Sequence, residues 1–133
     1  MTTITTRTSP RDPAAARRPV TATVVVALTV LQTLFAGYGA VYFTLLDGVT
    51  DMALTFLLTF ESVTAFGLLS ALALARRSAL GRAGVVVYGV WMLIFSAFKI
   101  GYIHEAAAVP FAVVGLLVLG LALAPGTRRY ADR

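Results

Sequence analysis

Four long apolar stretches, separated by short polar breaks, organise this chain. Hydrophobic positions run almost without interruption over 20–46, 52–75, 83–103 and 108–124. None alternates with the two-residue period of a half-buried strand, so each reads as a helix that is apolar nearly all round. Such helices belong in lipid or at the centre of a large protein, and a chain of 133 residues has no large interior to offer. The first three runs exceed the roughly 17 residues needed to cross a bilayer, and the fourth just reaches it. The predicted fold class is all-α, a polytopic membrane bundle of four transmembrane helices.

The breaks carry the punctuation that such a bundle needs. Asp47-Gly48-Val49-Thr50-Asp51 reads as a tight polar turn, and Arg76-Arg77-Ser78 closes the second span. A short loop through Gly81-Arg82 leads into the third span, and His104-Glu105 mark its far end. Pro110 suits the first turn of the fourth helix, because the N–H it lacks would have no partner there. Pro125-Gly126 stops that helix. Residues 1–19 are rich in Thr, Pro and Arg without apolar periodicity, which predicts a disordered tail, and 127–133 reads as a second tail. The first run follows Arg17-Arg18 as a signal-peptide core would. It continues well past the roughly 7–15 residues of such a core, so it is expected to remain as an anchor.

Composition strengthens the membrane reading, with 59% hydrophobic against 13% charged residues. The net charge of +5 raises the question of nucleic acid, and the placement of the charge answers it. Four arginines precede the first span, three lie in 76–82 and three follow Pro125, whereas the two opposite loops hold no Lys or Arg and carry Asp47, Asp51 and Glu105. Scattered tail and loop charges make no basic groove, and they follow the rule that cytoplasmic loops collect Lys and Arg. Arg17, Arg18, Arg76, Arg77, Arg82, Arg128 and Arg129 are the topology signals. They predict a multi-pass protein of the cell membrane with both termini cytoplasmic. The lipid bilayer is the expected partner, with a homo-oligomer or a partner membrane protein beside it and no nucleic acid.

Chemistry is sparse. The absence of cysteine removes disulfides, thiol redox chemistry and a cysteine nucleophile. A single histidine cannot supply bis-histidine haem ligation, and no His/Asp/Glu spacing suits a metal. No cofactor or metal is expected, and no catalytic constellation is recognisable. Two ionisable residues do sit inside apolar spans, where each needs a reason. Glu61 lies ten residues from Asp51, or roughly 15 Å along the helix, and Lys99 six residues from Glu105, or roughly 9 Å. Neighbouring spans and a long lysine stem make a Glu61–Lys99 ion pair sterically feasible.

Helical phase supplies the neighbours. Lys99 shares a face with Tyr88, Met92 and Ile103, flanked by Phe95, Ser96 and Tyr102, at 100° per residue. Gln32 shares a stripe with Ala36, Gly39 and Phe43, with Tyr42 at its edge. Glu61 lies with Leu54, Leu57, Ala65 and Leu68, opposite a hydroxyl stripe of Thr55, Thr59, Ser62 and Ser70 suited to helix contacts. The candidate site is therefore Gln32, Tyr42, Glu61, Lys99 and Tyr102, with His104 and Glu105 at its mouth. Plainer readings stand beside it. A buried pair can simply fix which helices meet, and a lysine can snorkel to the surface. Tyr38, Tyr42 and Tyr102 fit an aromatic belt at the outer interface and Tyr88 one at the inner interface.

The arginine-rich tail, the RRSALGR loop and the terminal APGTRR resemble those of small four-helix integral membrane proteins common in high-GC bacteria, a group that implies no established activity. Small multidrug-resistance transporters are similar in size and helix number. They are built around a carboxylate in the first helix, where this chain has Gln32. Ser96-Ala97-Phe98-Lys99-Ile100 resembles a lysine-bearing segment of DoxX-like proteins, although theirs belongs to the first helix. Two functions are thus expected to compete. One is a non-enzymatic accessory or structural subunit acting through helix–helix or lipid contacts. The other is a small transporter or ligand-binding protein using Glu61 and Lys99.

Overall fold

The computed structural model describes residues 18–132. The expected disordered tail, Arg17 included, lies outside these residues apart from Arg18 and Pro19, and so does Arg133. Five helices follow one another: α1 (Val20–Asp47), α2 (Asp51–Ala75), α3 (Ala79–Tyr102), α4 (Ala108–Leu123) and α5 (Pro125–Ala131). No strand occurs among the described residues. α1 packs on α2 and α4, and α3 packs on the same two, so the four longer helices close a ring. The short α5 crosses one end of it, against α1, α3 and α4. α1, α2 and α3 are each long and apolar enough to cross a membrane. α4 meets that measure only together with α5, from which it bends by 62°.

Local chemistry explains the boundaries. α1 ends at Gly48, whose φ of 82° is open to glycine at no steric cost. Thr50 caps α2 by accepting the Ala53 N–H at 3.1 Å, and Asp51 in the first turn faces the positive end of the helix dipole. At the other end Arg77 takes a φ of 63°. There the Arg77 and Ser78 N–H groups donate to the carbonyls of Leu74 and Ala73, a Schellman closure with arginine where glycine is usual. Ser78 at once caps α3 by accepting the Gly81 N–H at 3.2 Å.

Two expected boundaries therefore move. The third helix starts at Ala79, so Gly81-Arg82 lie in its first turn and only three residues connect it to α2. The segment after Pro125 is not a plain tail, because Pro125 ends α4 and also opens α5 at its first position. Ala124 before it is extended, as a residue preceding proline prefers to be. Arg128 and Arg129 consequently ride on a helix.

The packed core gathers at the end of the ring that α5 crosses. Val25, Leu74, Val85, Val118 and Tyr130, one from each helix, join Ala22, Ala122 and Ala131 in a single buried cluster. Small residues let the backbones meet there. A Cβ on Gly81 would strike the main chain of Leu74 and Ala73, and one on Gly67 would come within 2.7 Å of the Tyr88 ring. Tyr88 is 1% exposed, so its ring wedges between α1 and α2 and is not a belt residue. The same end holds Arg18, Arg76, Arg77, Arg82, Arg128 and Arg129. Both Arg18 and the Tyr130 hydroxyl donate to the Ala75 carbonyl, at 2.9 and 2.8 Å, and Arg18 and Arg77 lie over the Tyr130 ring. The opposite end carries Asp51 and Glu105.

Candidate functional site

Aromatic residues in the acidic half of the ring cannot close against one another as the small residues do at the basic end. They leave a cleft of about 280 Å³ between α1, α2, α3 and the start of α4. α1 contributes Tyr38, Tyr42 and Phe43, α2 contributes Phe56 and Phe60, and α4 contributes Phe111. α3 supplies Met92, Phe95, Ser96 and Lys99. The rings brace one another: Phe60 meets Phe95 edge-on at 4.7 Å, and Trp91 stacks on Phe95 at 5.4 Å with planes 2° apart. Tyr38 and Tyr42 stack on the facing wall at 6.0 Å. Such contacts add to the burial of the rings and give the cleft firm sides.

The polar end of the cleft is one ion pair. Lys99 Nζ donates to Glu105 Oε2 at 2.5 Å, and the ammonium lies 5.7 Å from the centre of the Phe95 ring. The Glu105 N–H also donates to the Lys99 carbonyl at 3.1 Å, so the two residues are clasped through main chain and side chain. His104, between the end of α3 and Glu105, takes a φ of 59°, which turns the chain back over the helix end. The pair is thus local to the α3–α4 connection.

This arrangement redraws the expected site. Lys99 pairs with Glu105 and not with Glu61. Glu61 looks instead across to α1, where a Cβ added to Gly37 would sit 3.4 Å from its Oε1. That oxygen is buried and has no hydrogen-bond partner. Gln32 is 3% exposed and donates to the Phe111 carbonyl of α4 at 3.0 Å, tying α1 to α4 below the cleft. Tyr42, Lys99 and Glu105 do meet in one site. Tyr102 is 79% exposed and stacks outward on Phe98, and His104 is exposed. Thr55, Thr59 and Ser62 face away from the ring, each donating to the carbonyl four residues earlier. Of that expected stripe only Ser70 is buried within the structure.

The residue that helical phase placed merely beside Lys99 is the informative one. Ser96 is wholly buried at the cleft wall, yet its hydroxyl has no partner. Thr29 and Thr44, equally inside the ring, donate to the carbonyls of Val25 and Ala40. A serine hydroxyl normally satisfies itself in that way within a helix, so Ser96 stands ready to bond something else. No base is hydrogen-bonded to it, and activation as a nucleophile is not built in. The described residues contain no group of three or more His, Asp or Glu that could hold a metal. The arrangement is equipped to bind an apolar molecule and to orient it by one hydrogen bond.

No family model matches this chain, and neither a curated protein nor a solved structure matches it.

Proposed function

We propose that this chain is a non-enzymatic, multi-pass protein of a bacterial cell membrane that holds a small lipophilic molecule in its aromatic cleft. The carrying observation is the cleft itself, with aromatic walls from four helices and a buried, unpartnered Ser96 hydroxyl. Apolar pockets with a few placed polar groups are the usual form of small-molecule sites. The membrane path belongs to the same proposal: four crossings with both termini cytoplasmic. It is supported by α4 packing beside α1 and α3 from the cleft at Phe111 to the buried cluster at Ala122, and by six arginines at one end against acidic groups at the other.

Native mass spectrometry of the gently solubilised protein tests the binding reading, wild type beside Gly39→Leu. Gly39 lines the cleft, and a Cβ there would meet nothing within 4 Å, so a leucine can start there without striking the helices and extend into the cleft. The expected result is a bound small molecule on the wild type, absent from an equally stable variant.

A second reading is favoured by the outward hydroxyls of Thr55, Thr59 and Ser62 on α2, which suit contact with another membrane helix. Under it the protein is an accessory or structural subunit. A bare ring in both samples, with a homo-oligomer or a co-purifying membrane protein, would favour that role and count against the ligand.

A further inference from the structure

We infer that the cleft takes an uncharged, lipid-soluble ring compound bearing a carbonyl oxygen, and that Ser96 and Lys99 hold that oxygen. The inference rests on the ligand-binding reading above and adds the chemical class. Charge argues first. Lys99 and Glu105 are the only charged side chains among the described residues that line the cleft, and they are bonded to each other. The site is therefore electrically neutral. An ionic ligand would have to displace one partner or bring an uncompensated charge among aromatic walls, and both are costly in a low-dielectric setting.

Size and shape come next. A volume of about 280 Å³ lies just below the roughly 300–1,000 Å³ of pockets for drug-sized ligands. It suits one or two fused rings and leaves no room for a two-chain lipid. Walls of Phe56, Phe60 and Phe95 on one side and Tyr42 and Phe43 on the other offer faces and edges to a flat ring, the geometries that aromatic groups prefer.

The polar pair sets the oxygen. Ser96 and Lys99 are three residues apart on α3 and so share a face. Ser96 keeps its proton free where Thr29 and Thr44 have used theirs, and among the described buried hydroxyls without a partner it alone lines the cleft. The Lys99 ammonium has three N–H donors, of which Glu105 takes one. A carbonyl oxygen has two lone pairs and can accept from both residues at once.

The test uses wild-type protein in phosphatidylcholine nanodiscs and three naphthalenes of nearly equal size: 2-acetonaphthone, 2-naphthoate and 2-naphthylmethylammonium. Binding is read by equilibrium dialysis and by quenching of Trp91, the sole tryptophan of the chain, which stacks on the cleft residue Phe95. The ketone is expected to bind saturably and about tenfold tighter than either ion, the modest end of what an uncompensated charge costs. Ser96→Ala is expected to weaken the ketone about five- to tenfold, as loss of one hydrogen bond does. The same variant should leave 2-methylnaphthalene, which has no oxygen, unaffected. Glu105→Gln frees the ammonium and should turn the preference toward naphthoate.

Tighter binding of either ion by the wild type, or full ketone affinity in Ser96→Ala, overturns the assignment and leaves a ligand-binding cleft standing. No saturable binding of any naphthalene, with Gly39→Leu indistinguishable from wild type, overturns the ligand-binding reading itself.

Discussion

At the basic end of the ring, alanines, valines and Leu74 bring five helices into one buried cluster, and Tyr130 seals it with a hydroxyl on the Ala75 carbonyl. At the acidic end, phenylalanine and tyrosine occupy the facing positions, and α1 to α4 stand apart around a cleft. These four helices continue from one end to the other, so their backbones are not what differs. Side-chain size decides the separation. Small residues let helices approach closely, and lipid tails, as apolar as the side chains, supply no pressure to close a gap between bulky rings. One end packs closed, and the other leaves a cleft.

Breaking the closed end should have the largest effect. A side chain at Gly81 meets the α2 main chain, which cannot move aside as a flexible side chain can. Gly81→Val is expected to cost about 3 kcal/mol or to prevent folding, read as the unfolding midpoint in a denaturing-detergent titration. A midpoint equal to wild type would show that the α2–α3 approach is looser than described.

Gly67→Ala presses a methyl group on Thr33 and Tyr88 side chains, which can yield in part. The expected loss is about 1–3 kcal/mol in the same titration, and a neutral result would mean that the Tyr88 wedge swings away freely. Tyr130→Phe keeps the ring beneath Arg18 and Arg77 and removes only the bond to Ala75. About 1 kcal/mol should be lost, with ketone affinity at the far end unchanged. A linked loss of binding would argue that the two ends are not independent.

The smallest effect belongs to the open end and has the opposite sign. His104 holds a left-handed conformation that strains a side chain and suits glycine. His104→Gly is expected to stabilise by about 0.5–1 kcal/mol. Thermal unfolding in detergent checks it, and a destabilised variant would indicate that the imidazole has a contact of its own.

Much of the fold was legible along the chain. Unbroken apolar runs mark helices whatever they pack against, and Pro110 and Gly48 act through their own backbone neighbours. Boundaries slipped where capping mattered more than polarity, as at Ala79, where Ser78 starts a helix directly after Arg77. The site was legible only in part. Helical phase grouped Ser96, Phe95 and Lys99 because they share one helix. It paired Lys99 with Glu61 where the structure pairs it with Glu105, because that choice depends on how the chain turns at His104. It also treated Ser96 as a neighbour of the site, since an unsatisfied hydroxyl is visible only once every nearby carbonyl has been placed.

By itself, then, the sequence determined the helices, their apolar character and the opposed charges at their ends, because these depend on residue type and on spacing within a turn or two. Only the tertiary structure decided that Glu61 faces Gly37, that Lys99 is neutralised by Glu105, and that the aromatic half stays open. Each of these depends on which side chains of different helices meet at the same height. That is settled by the sizes of residues far apart in the chain acting together.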